Sequence, residues 1–200
     1  MNVNRPEARK LLLEYTQSKS LIRHALAVEA AMRAYARNFG EDEDRWGIAG
    51  LLHDFDYEQN PEPEDHPRVG AAILEDLGYP EDIIYAIKAH ADHMHLPRKS
   101  VMDKALFAVD ELCGLLTAAT LIRPERKVAE LPVKSVKKRL KDKAFARNVS
   151  REDIRQGAEG LEVDLDEHIA LVRDAMAEIA EDLGLAGQEG LPREPGKEAL

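Results

Sequence analysis

Apolar positions along this chain recur at intervals of three and four, and Gly, Pro and capping residues punctuate them, so the pattern predicts helices throughout. Asn4 is a candidate cap for a first helix, with Pro6 in its first turn and an end near Thr16. Ser20 would cap a second helix ending near Asn38, with Gly40 beyond it and Leu21, Ala25, Val28, Met32 and Tyr35 on its apolar face. A third helix is expected over 43–53, burying Ile48, Leu51 and Leu52, and a loop rich in Pro and acidic residues follows. The pattern then places a fourth helix from Pro67 to Gly78 and a fifth opening at Pro80 that carries Ile83, Ile84, Ile87 and His90. A long one capped by Ser100 reaches about Leu121. Residues 123–148 are irregular and basic, with room for one or two short helices. Ser150 precedes Asp153 by three residues and Asp164 precedes Glu167 by three, the spacing of a capping box, so two more helices begin there and the last ends near Leu183-Gly184. No strand-like alternation, internal repeat or domain boundary interrupts the series. The expected fold class is all-α: a single-domain helical bundle over 1–185, followed by a Gly-, Pro- and charge-rich tail over 186–200 expected to be disordered.

Composition agrees with helices, since aromatic residues are only 5% and good helix formers dominate. Charge changes the picture of partners. A net charge of −10 argues against stable nucleic-acid binding, which needs clustered Lys and Arg, but leaves room for a small phosphorylated substrate held by metal ions or a local basic pocket. The single cysteine, Cys113, allows no internal disulfide and reads as core packing. No apolar run approaches the ~18–20 residues that cross a bilayer, and no signal-peptide pattern opens the chain, so no membrane partner and a cytoplasmic location are expected.

The candidate chemistry lies in the histidines. His24 sits on the apolar stripe of the second helix, His53-Asp54 ends the apolar run from Ile48 to Leu52, His90 shares a face with Ile83 and Ile87, and Asp110 lies within the apolar run from Leu106 to Leu112. Taken alone, each histidine reads as a hydrogen-bonded core residue. A carboxylate on an apolar helix face is costly to bury unless it is paired or binds a metal. Imidazoles and carboxylates together suit Fe, Mn, Zn or Ni, and a carboxylate can bridge two adjacent sites.

The order His24, His53-Asp54, Asp110 resembles that of the HD-domain superfamily of metal-dependent phosphohydrolases. The context Ala49-Gly50-Leu51-Leu52-His53-Asp54 resembles its signature helix. His66-Pro67-Arg68-Val69-Gly70-Ala71 resembles the segment that supplies a further histidine in two-metal members, and His90 falls where those members place another. The resemblance covers about residues 20–120. It implies a buried metal site with one divalent transition metal held by His24, His53, Asp54 and Asp110. A second metal would be held by His66 and His90, with Asp54 bridging. The chain departs from the HDIG subgroup in having Phe55-Asp56 where that subgroup has Ile-Gly. Its Gly78-Tyr79-Pro80 precedes the His90 helix and reads as a helix stop followed by a helix start, so no cyclic-dinucleotide substrate is inferred.

The resemblance implies a phosphomonoesterase or phosphodiesterase acting on a nucleotide or another small phosphorylated metabolite, with a metal-bound hydroxide as nucleophile. Asp54 would take part in the chemistry. Asp56 would orient the nucleophile, accept a proton or bind a substrate hydroxyl, with a loop cap as its plainer role. His93, three positions after His90, would line the pocket and protonate a leaving group. Lys104, Arg23 and Arg68 are candidates for stabilising phosphoryl charge, and Lys134, Lys137 and Lys138 for gripping a substrate phosphate by folding over the site; surface charge is the plainer role of each. His95 reads as a surface residue, and His168, in the last helix, lies outside the ligand pattern. Two other functions share the ligand set: a diiron oxygenase of the same scaffold, and a non-catalytic metal-binding regulatory module.

Overall fold

The computed structural model describes residues 3–187. Ten α-helices succeed one another among the described residues: α1 (Arg5–Tyr15), α2 (Lys19–Phe39), α3 (Glu43–Leu52), α4 (Arg68–Asp76), α5 (Glu81–His90), α6 (Val101–Leu121), α7 (Val133–Lys141), α8 (Arg151–Gly160), α9 (Leu165–Glu178) and α10 (Ala180–Leu183). Short 3₁₀ turns sit at Asp92–Met94 and Val128–Glu130, and no strand forms among the described residues beyond an isolated bridge between Lys127 and Ala186. The fold is all-α. Side chains cap the helices where short polar residues precede apolar runs. Asn4 accepts the Glu7 N–H, Asp42 that of Arg45, Ser150 that of Asp153, and Asp164 those of Asp166 and Glu167. Ser100 and Asp103 form a reciprocal capping box.

Two boundaries differ from the pattern-based expectation. Helix α2 begins at Lys19, ahead of Ser20; the Glu58 carboxylate, distant in sequence, accepts the N–H groups of Gln17 and Ser18 at 2.7 and 2.9 Å and fixes the residues that lead into it. The last expected helix breaks at Ile179 into α9 and α10. The break turns Leu183 and Leu185 into the core and lets the Leu185 carbonyl accept the Val128 N–H at 2.9 Å, which ties down the segment before α7. Of the tail expected over 186–200, residues 188–200 lie outside the described residues, and Ala186 pairs with Lys127.

Helix α6 runs through the centre, against α2, α5, α7, α8 and α9, and is apolar nearly all round, as a helix without a solvent face must be. Cys113 lies wholly buried on it, its thiol pushed well up by burial. Helices α2 and α3 pack closely because Gly50 has no side chain; a Cβ there would lie 2.9 Å from the Val28 carbonyl oxygen. The close approach brings the end of α3 onto α2, one turn from His24. No helix among the described residues is long and apolar enough to cross a membrane.

Candidate metal centre

Four helices and one loop deliver six side chains to one spot. His24 comes from the first half of α2, Asp110 from the middle of α6, and His90 from the last position of α5. His53 is the first residue beyond α3 and keeps helical dihedrals, so it continues the helix while Asp54 begins the turn. His66 is supplied by the loop that follows.

Three of these imidazoles are anchored alike. The Nδ1–H of His53 donates to the Gly50 carbonyl at 2.8 Å, that of His90 to the Ile87 carbonyl at 2.6 Å, and that of His66 to Asp56 Oδ1 at 2.9 Å. Each bond anchors Nδ1 and leaves Nε2 aimed at carboxylates, the arrangement of a histidine that would ligate a metal through Nε2. His53 Nε2 lies 3.4 Å from both Asp54 Oδ2 and Asp110 Oδ1. His66 and His90 Nε2 lie 3.1 and 3.4 Å from the other Asp54 oxygen, and His24 Nε2 lies 2.8 Å from Asp110 Oδ1. Asp54 thus stands between two groups, His24 with His53 on one side and His66 with His90 on the other.

These residues fit divalent metal ions. His53 Nε2 is buried without a hydrogen-bond partner, although it faces two carboxylates. Ligand atoms about 2.1 Å from one ion and set at right angles to tetrahedral angles stand roughly 3.0–3.4 Å apart, close to the separations observed. The electrostatics agree. Burial by itself would lower the His53 and His66 pKa values, yet the carboxylates raise His53 well above the usual range and His66 to about 9. Burial would raise Asp54 and Asp110, yet the histidines hold both well below the carboxylate range. The cluster demands positive charge, which protons supply to the bare protein and which metal ions would supply in their place.

Behind this layer, the chain alternates. Asp54 faces the cavity, Phe55 is buried edge-on against Tyr15, and Asp56 turns back beneath His66. The Phe55 carbonyl accepts the Thr16 hydroxyl at 2.9 Å. Asp56 also accepts the Gly70 N–H at 2.8 Å, where a Cβ would lie 2.7 Å from its carboxyl carbon, so the site needs glycine. The cavity in front has a volume of about 390 Å³. Tyr57, Phe107 and Leu21 give it apolar walls, and Asp54, Asp92, Asp110, Glu111 and Asp153 line it, with no Lys or Arg among its lining residues.

Several expected site residues lie elsewhere. Asp56 is fully buried and holds His66; it does not reach the cavity to orient a nucleophile or bind a substrate hydroxyl. His93 Nε2 donates to the His66 carbonyl at 2.7 Å and steadies that loop instead of facing a leaving group. The Arg23 guanidinium lies over Gly184, 3.2 Å from where a Cβ would be, because successive helical residues diverge by about 100° and His24 takes the inward direction. Arg68 turns back to the Pro63 carbonyl at 2.9 Å. Lys104, six positions before Asp110 on α6, is rotated by roughly 120° from it and is absent from the cavity wall. Lys134, Lys137 and Lys138 line a separate groove with Asp166 and do not fold over the cavity.

Other residues here had no sequence signal of their own. Glu111 lines the cavity and accepts the Ser150 N–H at 3.0 Å, joining α6 to the start of α8; burial and Asp110 push it up to about 7. Adjacency to Asp110 was its only clue. Arg98 donates to the Ala89 carbonyl at 3.1 Å, pairs with Asp92 and stacks on Phe107, securing the end of α5 where His90 sits.

Comparison with known proteins gives the HD domain family model a match over residues 21–131. The chain is 32% identical over 191 residues to Ribonuclease Y of Oleidesulfovibrio alaskensis, covering 92% of this chain and 36% of that protein. It is 32% identical over 183 residues to Ribonuclease Y of Desulfotalea psychrophila, covering 90% and 34%. For Ribonuclease Y of Campylobacter jejuni the identity is 30% over 196 residues, covering 94% and 37%. The chain therefore spans about a third of the length of these curated relatives. No solved structure matches it. Relatives that are ribonucleases by name overturn the expectation of a small phosphorylated partner and no nucleic acid. The exclusion of nucleic acid rested on net charge, which averages over a surface and does not register how charge is distributed on it, and the small substrate on the resemblance alone.

Proposed function

The chain belongs to the HD domain family, and from this premise we propose that it is a metal-dependent phosphodiester hydrolase whose substrate is RNA. The observation that carries this reading is the buried, unpartnered His53 Nε2, set between the carboxylates of Asp54 and Asp110 with three further imidazoles around them. His24, His53, Asp54 and Asp110 would hold one divalent ion, and Asp54, His66 and His90 a second. Bound there, such ions supply an acidified water and draw charge from phosphoryl oxygens.

The chain's own residues prepare that chemistry. Nδ1 bonds to Gly50, Ile87 and Asp56 anchor three imidazoles, so little reorganisation is needed at the reacting centre. Five carboxylates line the cavity without a Lys or Arg, so bound cations would offset their charge for an incoming phosphodiester. Tyr57, 40% exposed at the cavity wall and edge-on to His66 at 5.2 Å, offers a ring on which a base next to the scissile phosphate can stack.

The test is anaerobic incubation of metal-loaded protein with a single-stranded RNA, alongside elemental analysis of metal per chain. Cleavage that stops on chelation and returns with added Mn²⁺ is the expected result. Full metal content with no phosphodiester cleavage, or turnover that requires O₂, would overturn the proposal.

A further inference from the structure

Helix α7 separates its residues by side. Val136 and Leu140 are buried, facing the core beside α6 and α9. Lys134, Lys137, Lys138 and Lys141 occupy positions i, i+3, i+4 and i+7, which share the opposite face, and they line an open groove of about 660 Å³. Lys137 pairs with Asp166 at 2.6 Å; among the described residues no carboxylate pairs with Lys134, Lys138 or Lys141. The concentration runs against the composition of the chain. The net charge is −10, yet ten of the 28 Lys and Arg residues fall within 123–147, beside three acidic ones.

We propose that this lysine stripe is a docking surface for the backbone phosphates of single-stranded RNA, outside the catalytic cavity. The inference rests on the reading of the chain as an RNA phosphodiesterase. It follows from a division of labour between two surfaces. The cavity offers five carboxylates and no Lys or Arg, a lining poorly suited to gathering a long anionic strand away from the metal centre. The stripe extends about 10 Å along the helix axis and presents flexible ammonium groups, which neutralise phosphates without reading bases. A lipid surface fits less well. A membrane-bound amphipathic helix buries its apolar face in the bilayer, whereas Val136 and Leu140 are already committed to the core.

The experiment uses the metal-loaded full chain and the variant Lys134→Gln/Lys137→Gln/Lys138→Gln/Lys141→Gln. Binding to a fluorescein-labelled, cleavage-resistant phosphorothioate oligoribonucleotide is followed by anisotropy across a salt series. The expected result is affinity about tenfold weaker or more at low salt, and a slope of log Kd against log salt reduced by about 3, since each phosphate left without its lysine lowers the slope by roughly 0.7. Hydrolysis of bis(p-nitrophenyl) phosphate, which needs only the cavity, should be unchanged. Unchanged RNA affinity and slope would overturn the docking surface. So would loss of binding to phosphatidylglycerol vesicles with RNA binding intact. Failure of wild-type protein to hydrolyse the small diester counts against the hydrolase reading alone, because anisotropy reads docking without catalysis. If the fourfold variant does not fold, Lys134→Gln/Lys138→Gln keeps the Lys137–Asp166 pair and should lower the slope by about half as much.

Discussion

Buried histidines in two regions of this protein, a cluster around Asp54 and His168 alone on α9, have opposite electrostatics. Around Asp54, His53 and His66 are buried beside carboxylates, and their pKa values rise, His66 to about 9. On the far side of α6, His168 is just as buried but meets no charge. Its Nδ1 accepts the Tyr35 hydroxyl at 2.5 Å and its Nε2–H donates to the Ala108 carbonyl at 3.0 Å, and burial pushes it down to about 4. Burial disfavours the charged imidazole in both places. What separates them is whether the unshared nitrogen lone pair faces a hydroxyl, which satisfies it, or a carboxylate, which does not. A neutral ring with both nitrogens satisfied is a structural part. A ring with Nδ1 anchored and Nε2 aimed at anions is prepared for a cation.

The largest effect should come from removing the charge that distinguishes the first group. Asp54→Ala or His53→Ala should abolish the proposed RNA cleavage and lower metal per chain, a loss beyond the roughly 10–100-fold that a missing outer partner costs. Normal metal content in both variants, by elemental analysis, would remove the basis of the comparison.

Next is the pH dependence of His168. Its folded pKa lies below the unfolded value, so its contribution to stability is complete above about pH 6.5 and is lost as pH falls towards about 4, on the order of 3 kcal/mol in all. The difference in urea midpoint between wild type and His168→Gln should therefore shrink or reverse over that window. A difference that stays constant with pH would show that His168 is not held neutral.

Asp56 sharpens the contrast from within the site. Asp56→Ala frees the His66 Nδ1–H and should weaken metal binding by roughly 10–100-fold while leaving the Asp54 ligand in place. Metal titration followed by calorimetry reads this directly, and an unaltered affinity would return Asp56 to a purely structural role. Tyr35→Phe should have the smallest effect. It leaves His168 Nδ1 without its donor and should cost about 1–3 kcal/mol of stability, with metal content and cleavage unaffected.

The helices were legible because their signals are local. Caps at Asn4, Ser100, Ser150 and Asp164 lie within three residues of the N–H groups they bind, and the apolar spacing of α6 belongs to one continuous run. Where a remote side chain holds the residues that lead into a helix, as Glu58 does before α2, the local pattern placed the boundary two residues away. The six residues singled out by resemblance are those that the fold gathers; their order along the chain carried the signal, since each histidine alone reads as a core residue. The basic residues behaved differently. Long flexible side chains can point anywhere from a given backbone position, so Arg23, Arg68 and Lys104 looked suitable by sequence position yet are directed elsewhere.

The sequence alone determined the all-helical class, which follows from period and capping, and the chain order of the histidines and aspartates, whose resemblance to the HD-domain pattern pointed to the family. Tertiary structure decided that Asp54 stands between two histidine groups, that Asp56 supports His66 from behind, and that the lysines of α7 form a surface apart from the cavity. These are facts about direction and neighbourhood. They arise only when helices distant in the chain pack and each side chain must find a partner for its charge.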